Sequence, residues 1–295
     1  MKCEQAQFQQ QLGAIEKTLN KLIKAKPEAL QAIIFAAARH SLLAPGKRLR
    51  PLLAIITAES YGASLESALH PACALELIHT YSLIHDDLPC MDNDELRRGQ
   101  PTLHKVYGDG QALLAGDFLL TFAFQVLAEC PKLSSDQKIQ LISVLAKRSG
   151  AEGMIGGQVV DLAHEGKQIE WPTLHFMHTH KTAALITAAL EFGAITGNAP
   201  TADKTLLSQI GYELGLAFQI IDDWLDVTGN PDSLGKNTFS DLKKQKPTAV
   251  TLLGLNESKE YADHLLSSAL KKLSQLSIPA DELKVLAQKL VLRHA

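Results

Sequence analysis

Two groups of aspartates carry the most specific chemistry in this sequence. The first, Asp86-Asp87-Leu88-Pro89-Cys90-Met91-Asp92, follows the apolar run Cys73–His85, and the second, Asp222-Asp223-Trp224-Leu225-Asp226, follows the apolar run Leu214–Ile221. Carboxylates at a helix C-terminus oppose the macrodipole, at a cost of roughly 0.3–1 kcal/mol each unless a cation neutralises them. Hard oxygen donors grouped in this way suit Mg²⁺, which takes one or two protein carboxylates and fills its other positions with water and substrate phosphate. Either group alone fits helix capping and surface charge. Two of them, each ending a buried helix, point to a diphosphate held between two walls by several ions.

Cations stand beside both groups. Gly46-Lys47-Arg48-Leu49-Arg50-Pro51 places three at a helix start, Arg97-Arg98-Gly99 follows the first aspartates, and Lys236, Lys243, Lys244 and Lys246 follow the second. Arginine offers a planar fork to phosphate and lysine a compact point charge. No G-x-x-x-x-G-K-[ST] loop is present, so a nucleotide is not the indicated diphosphate. His79 and Ser82 share a helical stripe with Asp86, and Lys181-Thr182 opens the apolar stretch Ala183–Leu190. At about 100° per residue, Gly215, Gln219, Asp222 and Asp226 form one stripe, which reads as the wall of a polar cavity.

The elements that must position these residues are helices. Ala, Leu, Gln, Glu and Lys recur at helical spacing, and strand-like alternation is nearly absent. The pattern predicts helices at about 4–24, 28–42, 48–60, 65–92, 109–129, 134–164, 172–197, 202–228, 239–254, 257–275 and 279–292. The 65–92 helix runs through Pro89, which strains it and sets the direction of Asp92. Segments such as Pro71–Ile84 and Lys181–Phe192 are apolar on most sides, as in the interior of a large bundle.

With 295 residues, 46% of them hydrophobic, and no Gly/Ser or charged linker, one domain over residues 1–295 is expected. A net charge of −3 indicates neither nucleic acid nor a membrane surface as partner. Met1–Gln10 has no apolar core of a secretory signal, and apolar runs elsewhere break before the roughly 20 residues that a membrane span needs. Cys3, Cys73, Cys90 and Cys130 are scattered and read as reduced thiols of a cytoplasmic protein.

Taken together, the motifs resemble the trans-type polyprenyl diphosphate synthases, most closely the short-chain bacterial farnesyl diphosphate synthases. The stretches that carry the resemblance are Gly46–Pro51, Glu76–His104 with Asp86-Asp87-x4-Asp92 and Arg97-Arg98-Gly99, Gly153–Leu162, His180–Leu185, Phe218–Gly229 with Phe218-Gln219-x2-Asp222-Asp223-x2-Asp226, and Gly235–Thr248. The resemblance implies an all-α, single-domain isoprenoid synthase bundle around a deep central cavity, usually a homodimer. It implies that Asp86, Asp92 and Asp222 bind Mg²⁺, about three ions per site with Mn²⁺ as a substitute, and that Asp87, Asp223 and Asp226 support them. Lys47, Arg50, His79 and Arg98 would hold isopentenyl diphosphate. Arg97, Lys181, Lys236 and Lys246 would hold the allylic partner, dimethylallyl or geranyl diphosphate, and Arg293 would help close the site. Lys181, Thr182 and Gln219 would stabilise the carbocation formed on ionisation.

Product length is expected at Tyr81 and Ser82, the fifth and fourth residues before Asp86. Helix geometry makes Ser82 the nearer floor residue, because Tyr81 lies roughly 140° from Asp86 around the axis. The assignment of Tyr81 rests on the resemblance and points to the fifteen-carbon product. A geranylgeranyl synthase differs only in cavity depth. A terpene cyclase normally carries a different second metal triad, a di-iron bundle needs a second Glu-x-x-His besides Glu76-x-x-His79, and a non-catalytic regulatory subunit should lack one aspartate motif or its arginines.

Overall fold

A computed structural model describes residues 2–228 and 247–292. Its long elements are helical, as expected: α1 (Lys2–Leu22), α2 (Ala32–Leu42), α3 (Leu49–Ser60), α4 (Leu65–Asp86), α5 (Leu103–Tyr107), α6 (Asp109–Ala128), α7 (Ser135–Ser149), α8 (Met154–Ala163), α9 (Trp171–Met177), α10 (Ala184–Thr196), α11 (Thr201–Thr228), α12 (Ala249–Leu253), α13 (Leu255–Leu273) and α14 (Asp281–Val291). A π-helical segment, His178–Ala183, joins α9 to α10. The strands among the described residues are β1 (Leu96–Arg97) and β2 (Gln100–Pro101), a minimal antiparallel hairpin.

The runs read as apolar on most sides lie at the centre. In α4, Pro71–Ile78 are all buried, and α10 buries every residue except Glu191. Around them pack α3, α6 and α11, and α13 covers the outer side of α11. Most of the buried apolar side chains form one continuous cluster.

Three helices end or change where periodicity predicts continuation. The 65–92 helix stops at Asp86, so Pro89 lies outside it. The proline restricts the residue before it and has no N–H to donate, and the chain turns instead. The 134–164 helix is interrupted at 150–153, where Gly150 takes extended backbone. The 172–197 helix changes pitch at the π segment. The predicted 239–254 helix lies partly outside the described residues and begins within them at Ala249.

α6 corrects the expectation about apolar runs, since its length and hydropathy would allow it to cross a membrane. Here it lays Ala112, Ala115, Gly116, Leu119 and Ala123 against its neighbours, chiefly α4, and exposes Leu113 and Leu114.

Candidate active site

The spacing Asp86-x5-Asp92 acquires a geometric meaning at the end of α4. The chain folds back so that the Asp92 N–H donates to the Asp86 carbonyl at 2.8 Å and the Asn93 N–H to the Leu88 carbonyl at 3.1 Å. Asn93 closes this turn with φ 51°, a conformation asparagine tolerates better than most residues. The two aspartates thereby come together at one helix end. Burial pushes the Asp86 carboxyl up to about 6, Lys181 and Arg97 pull it down, and Asp92 and Asp87 push it up. A cation placed there would relieve both the burial and the repulsion.

Arg97 and Arg98 are set by the hairpin. Leu96 pairs with Pro101 and Arg97 with Gln100, leaving Arg98-Gly99 as a two-residue turn with φ values of 54° and 75°. Positive φ at both positions matches the turn that suits the twist of a tight hairpin. Arg97 Nε donates to Asp87 Oδ1 at 2.7 Å, and its Nη2 lies 3.2 Å from Asp94 Oδ2. The structure thus uses Asp87 to hold Arg97 beside the first aspartate motif. The Arg98 guanidinium lies over Gly46, where an added Cβ would meet Nη1 at 2.4 Å.

That contact brings the basic N-terminal motif to the hairpin. Lys47 is exposed, Arg48 buried and Arg50 half-buried. His79, on α4, is pushed well below its ordinary value by burial and by Arg50, Arg98, Arg97 and Arg48. It is therefore neutral, a hydrogen-bonding group inside a cluster of fixed positive charge. His79 and Asp86 are seven residues apart, about 10 Å along the helix axis, which leaves room for two separate anion sites.

The other wall is made by α8, the π segment and α11. Lys181 Nζ donates to Asp161 Oδ2 on α8 at 2.6 Å, so its ammonium is held while still acting on Asp86. Thr182 Oγ1 donates to Gln219 Oε1 at 2.7 Å, and Gln219 Nε2 donates to Asp223 Oδ1 at 3.0 Å. Asp223 is buried, accepts from the Ala249 N–H at 2.7 Å and lies 3.5 Å from His178 Nε2. His178 is neutral, since burial pushes its imidazole down to about 3. Asp223 thus ties Gln219, His178 and the start of α12 together at this wall. A π turn is a frequent device at functional sites, because the extra residue re-aims the side chains around it.

Gly215 corrects the polar-wall reading. An added Cβ there would lie 2.4 Å from Ala183 Cα, so this glycine lets α11 touch the π segment. The stripe is a packing seam at Gly215 and polar at Gln219, and Asp222 and Asp226 continue it, half-buried, toward the end of α11.

Between these walls lies a small, open cleft lined by Met91, Asp92, Gln158, Asp161, Met177 and Pro247, among others. Ser82 is half-buried and donates to the His79 carbonyl at 2.9 Å. Tyr81 is buried, with its ring edge against His85, which reaches the Leu113 carbonyl of α6 at 3.0 Å. Lys236, Lys243, Lys244, Lys246 and Arg293 lie outside the described residues.

Sequence reasoning did not single out Asp161, Asp94 or His178. Their partners lie 20 residues away for Asp161 and 45 for His178, beyond any helical repeat. Asp161 lies in the stretch Gly153–Leu162 that carries the resemblance, but that stretch assigns it no partner; a local structural signal is the pair Gly156-Gly157. An added Cβ at Gly157 would lie 2.3 Å from the Lys181 backbone nitrogen, so α8 touches the π segment there.

A fold of helices around two aspartate-rich motifs, flanked by arginines and lysines, is the arrangement expected of a prenyl-transferring class of protein. A family model described as Polyprenyl synthetase matches residues 31–282, and the chain belongs to that family. The chain is 48% identical to geranylgeranyl pyrophosphate synthase 7, chloroplastic, of Arabidopsis thaliana over 243 residues, covering 81% of this chain and 70% of that protein. It is 41% identical to farnesyl diphosphate synthase of Haemophilus influenzae, covering 98% and 99%. Among solved structures, geranyltransferase of Helicobacter pylori complexed with magnesium and isoprenyl diphosphate superposes with a TM-score of 0.85 at 33% identity, covering 98% of this chain and 96% of that one. Enzymes of this family are metal-dependent prenyltransferases.

The donor set fits Mg²⁺. Asp86 and Asp92 offer hard carboxylate oxygens at one helix end, and the half-buried Asp86 carboxyl feels Lys181 and Arg97 without pairing with either. Among the described residues no three His, Cys, Asp or Glu side chains form a complete metal cage. An ion here would draw the rest of its shell from water and substrate oxygen.

Proposed function

We propose that this chain is a Mg²⁺-dependent enzyme that condenses isopentenyl diphosphate with dimethylallyl and then geranyl diphosphate to give (E,E)-farnesyl diphosphate. The observation that carries this reading is that Lys181, whose charge acts on the Asp86 carboxyl, adjoins Thr182, which is hydrogen-bonded to Gln219 on the helix of the second aspartate motif. The neutral His79 stands on the same helix among arginines.

Asp86, Asp92 and Asp222 would hold the ions. Bound Mg²⁺ would supply neutralisation of the departing diphosphate. The allylic carbon–oxygen bond breaks with its electron pair going to the diphosphate, and Lys181 and Arg97 face the growing negative charge. Such preorganised charges lower the barrier because they need no reorientation during the reaction. Thr182, whose hydroxyl proton is committed to Gln219, keeps oxygen lone pairs for the positive carbon. Lys47, Arg50, His79 and Arg98 would hold isopentenyl diphosphate while its double bond attacks that carbon. The proton then lost goes to the released diphosphate, so no protein nucleophile takes part.

The experiment is incubation with isopentenyl and dimethylallyl diphosphates, with and without a divalent-metal chelator, followed by chain-length analysis of the dephosphorylated alcohols. Farnesol formed only with Mg²⁺ is expected. Geranylgeraniol would favour the second reading, a geranylgeranyl synthase, which similarity to the plant enzyme supports. No condensation with any divalent metal would leave a non-catalytic subunit.

The floor of the cavity carries its own prediction. Tyr81→Ala should shift the product from fifteen to twenty or more carbons, read by the same analysis, and an unchanged distribution would remove Tyr81 from that role. The exposed Leu113 and Leu114 support the homodimer expected for the protein, which sedimentation analysis would test. Free thiols at Cys73, Cys90 and Cys130 support a cytoplasmic setting.

A further inference from the structure

The basic motif contains one arginine that faces away from any substrate. Arg48 stands between Lys47 and Arg50, yet it is 3% exposed and its guanidinium is consumed inside the protein. Nε donates to Glu16 Oε1 on α1 at 2.7 Å, Nη1 to Glu76 Oε1 on α4 at 2.7 Å, and Nη2 to the Leu42 and Ala44 carbonyls at the C-terminal end of α2, each at 2.9 Å. Its backbone has φ 47°, which is strained for a residue with a Cβ. Such a conformation persists only where the surroundings over-determine it. Here they do, because one side chain at the N-cap of α3 joins that helix to α1, α2 and α4.

The two glutamates are placed with consequence. Glu76 is 2% exposed and one helical turn before His79, so the anchor reaches the helix that carries the neutral histidine. Glu16 lies on α1, outside the segment that the family model matches. A buried arginine with no carboxylate partner would leave a costly uncompensated charge. With both carboxylates in place, Arg48 does not compete for an anion, and the motif's two other cations, Lys47 and Arg50, flank it on less buried backbone.

We propose that Arg48 is a positioning residue for the isopentenyl diphosphate pocket. Its pairing with Glu16 and Glu76 holds Gly46–Arg50 in the left-handed turn that presents Lys47 and Arg50, and it makes α1 part of the machinery that sets affinity for that substrate. The proposal rests on the functional reading above.

The test is steady-state kinetics of Arg48→Lys and Glu16→Gln, with each substrate varied in turn and the Tm of each variant measured. Lysine keeps the charge but loses the fork, so KM for isopentenyl diphosphate should rise about tenfold while KM for geranyl diphosphate stays within about twofold. Glu16 is half-exposed, and its neutral variant should fold and raise the same KM about threefold, which keeps the test informative if Arg48→Lys does not fold. A merely structural role would lower Tm and the active fraction and leave both KM values alone, and that outcome overturns the proposal. An unmodified protein that consumes no isopentenyl diphosphate would overturn the functional reading itself.

Discussion

Asp86→Asn should lower the condensation rate on the order of 10³-fold, about what loss of one preorganised transition-state contact costs, while making the metal-free protein more stable. The two effects share one cause. Burial and the neighbouring aspartates push the Asp86 carboxyl up to about 6, from 3.8. For an acid whose folded value is raised, ionisation opposes folding. The cost is absent below the unfolded value, grows as pH rises between the two, and is fully present above the folded one. At pH 8 the aspartate therefore costs stability that the asparagine does not, and the variant's Tm should rise by roughly 3–6 °C in the presence of chelator. At pH 4.5 most of that difference should vanish. Adding Mg²⁺ and inorganic pyrophosphate should raise the Tm of the unmodified protein more than that of the variant. A variant that is inactive and also less stable at pH 8 would mean that Asp86 supports the end of α4, and the metal-site assignment would lose its basis.

What was legible in the sequence is what depends on neighbours within a few turns. Asp86 and Asp92 could be found because their type and spacing are conspicuous, and the burial of α4 and α10 because those helices are apolar all round. Their relation in space was less legible. Continuing the helix through Pro89 placed Asp92 a further turn along, whereas the chain folds back and bonds Asp92 to the Asp86 carbonyl. The π segment was invisible because Lys181-Thr182-Ala183-Ala184-Leu185 fits an α repeat as well as it fits one with a single extra residue per turn. Pairings such as Lys181–Asp161 and Arg48–Glu16 join charges that are individually unremarkable on their own helices. Glycine misled for a different reason. An absent side chain suits the wall of a cavity and the seam between two backbones equally well, and periodicity cannot tell them apart.

That ambiguity at Gly215 yields the second large effect. A methyl group added there would lie 2.4 Å from both Cα and Cβ of Ala183, well inside van der Waals contact, so α11 and the π segment must separate. Gln219 is one turn further along α11, and its 2.7 Å bond with Thr182 crosses this seam. Separation by about 1 Å breaks that bond, and misplacement of that size costs roughly 10²-fold in rate. Gly215→Ala should therefore lower kcat about a hundredfold, with KM for geranyl diphosphate changed much less. Gly211 supplies the internal comparison. It meets Thr187 Cα at 2.5 Å on the same seam, one turn farther from Gln219. Gly211→Ala should lower Tm by a similar amount while sparing most of the activity, because the strain enters α10 beyond Lys181 and Thr182. Equal losses of kcat in the two variants would mean that the whole α10–α11 contact moves as one body, and the rate effect would then report packing in general and not the Thr182–Gln219 pair.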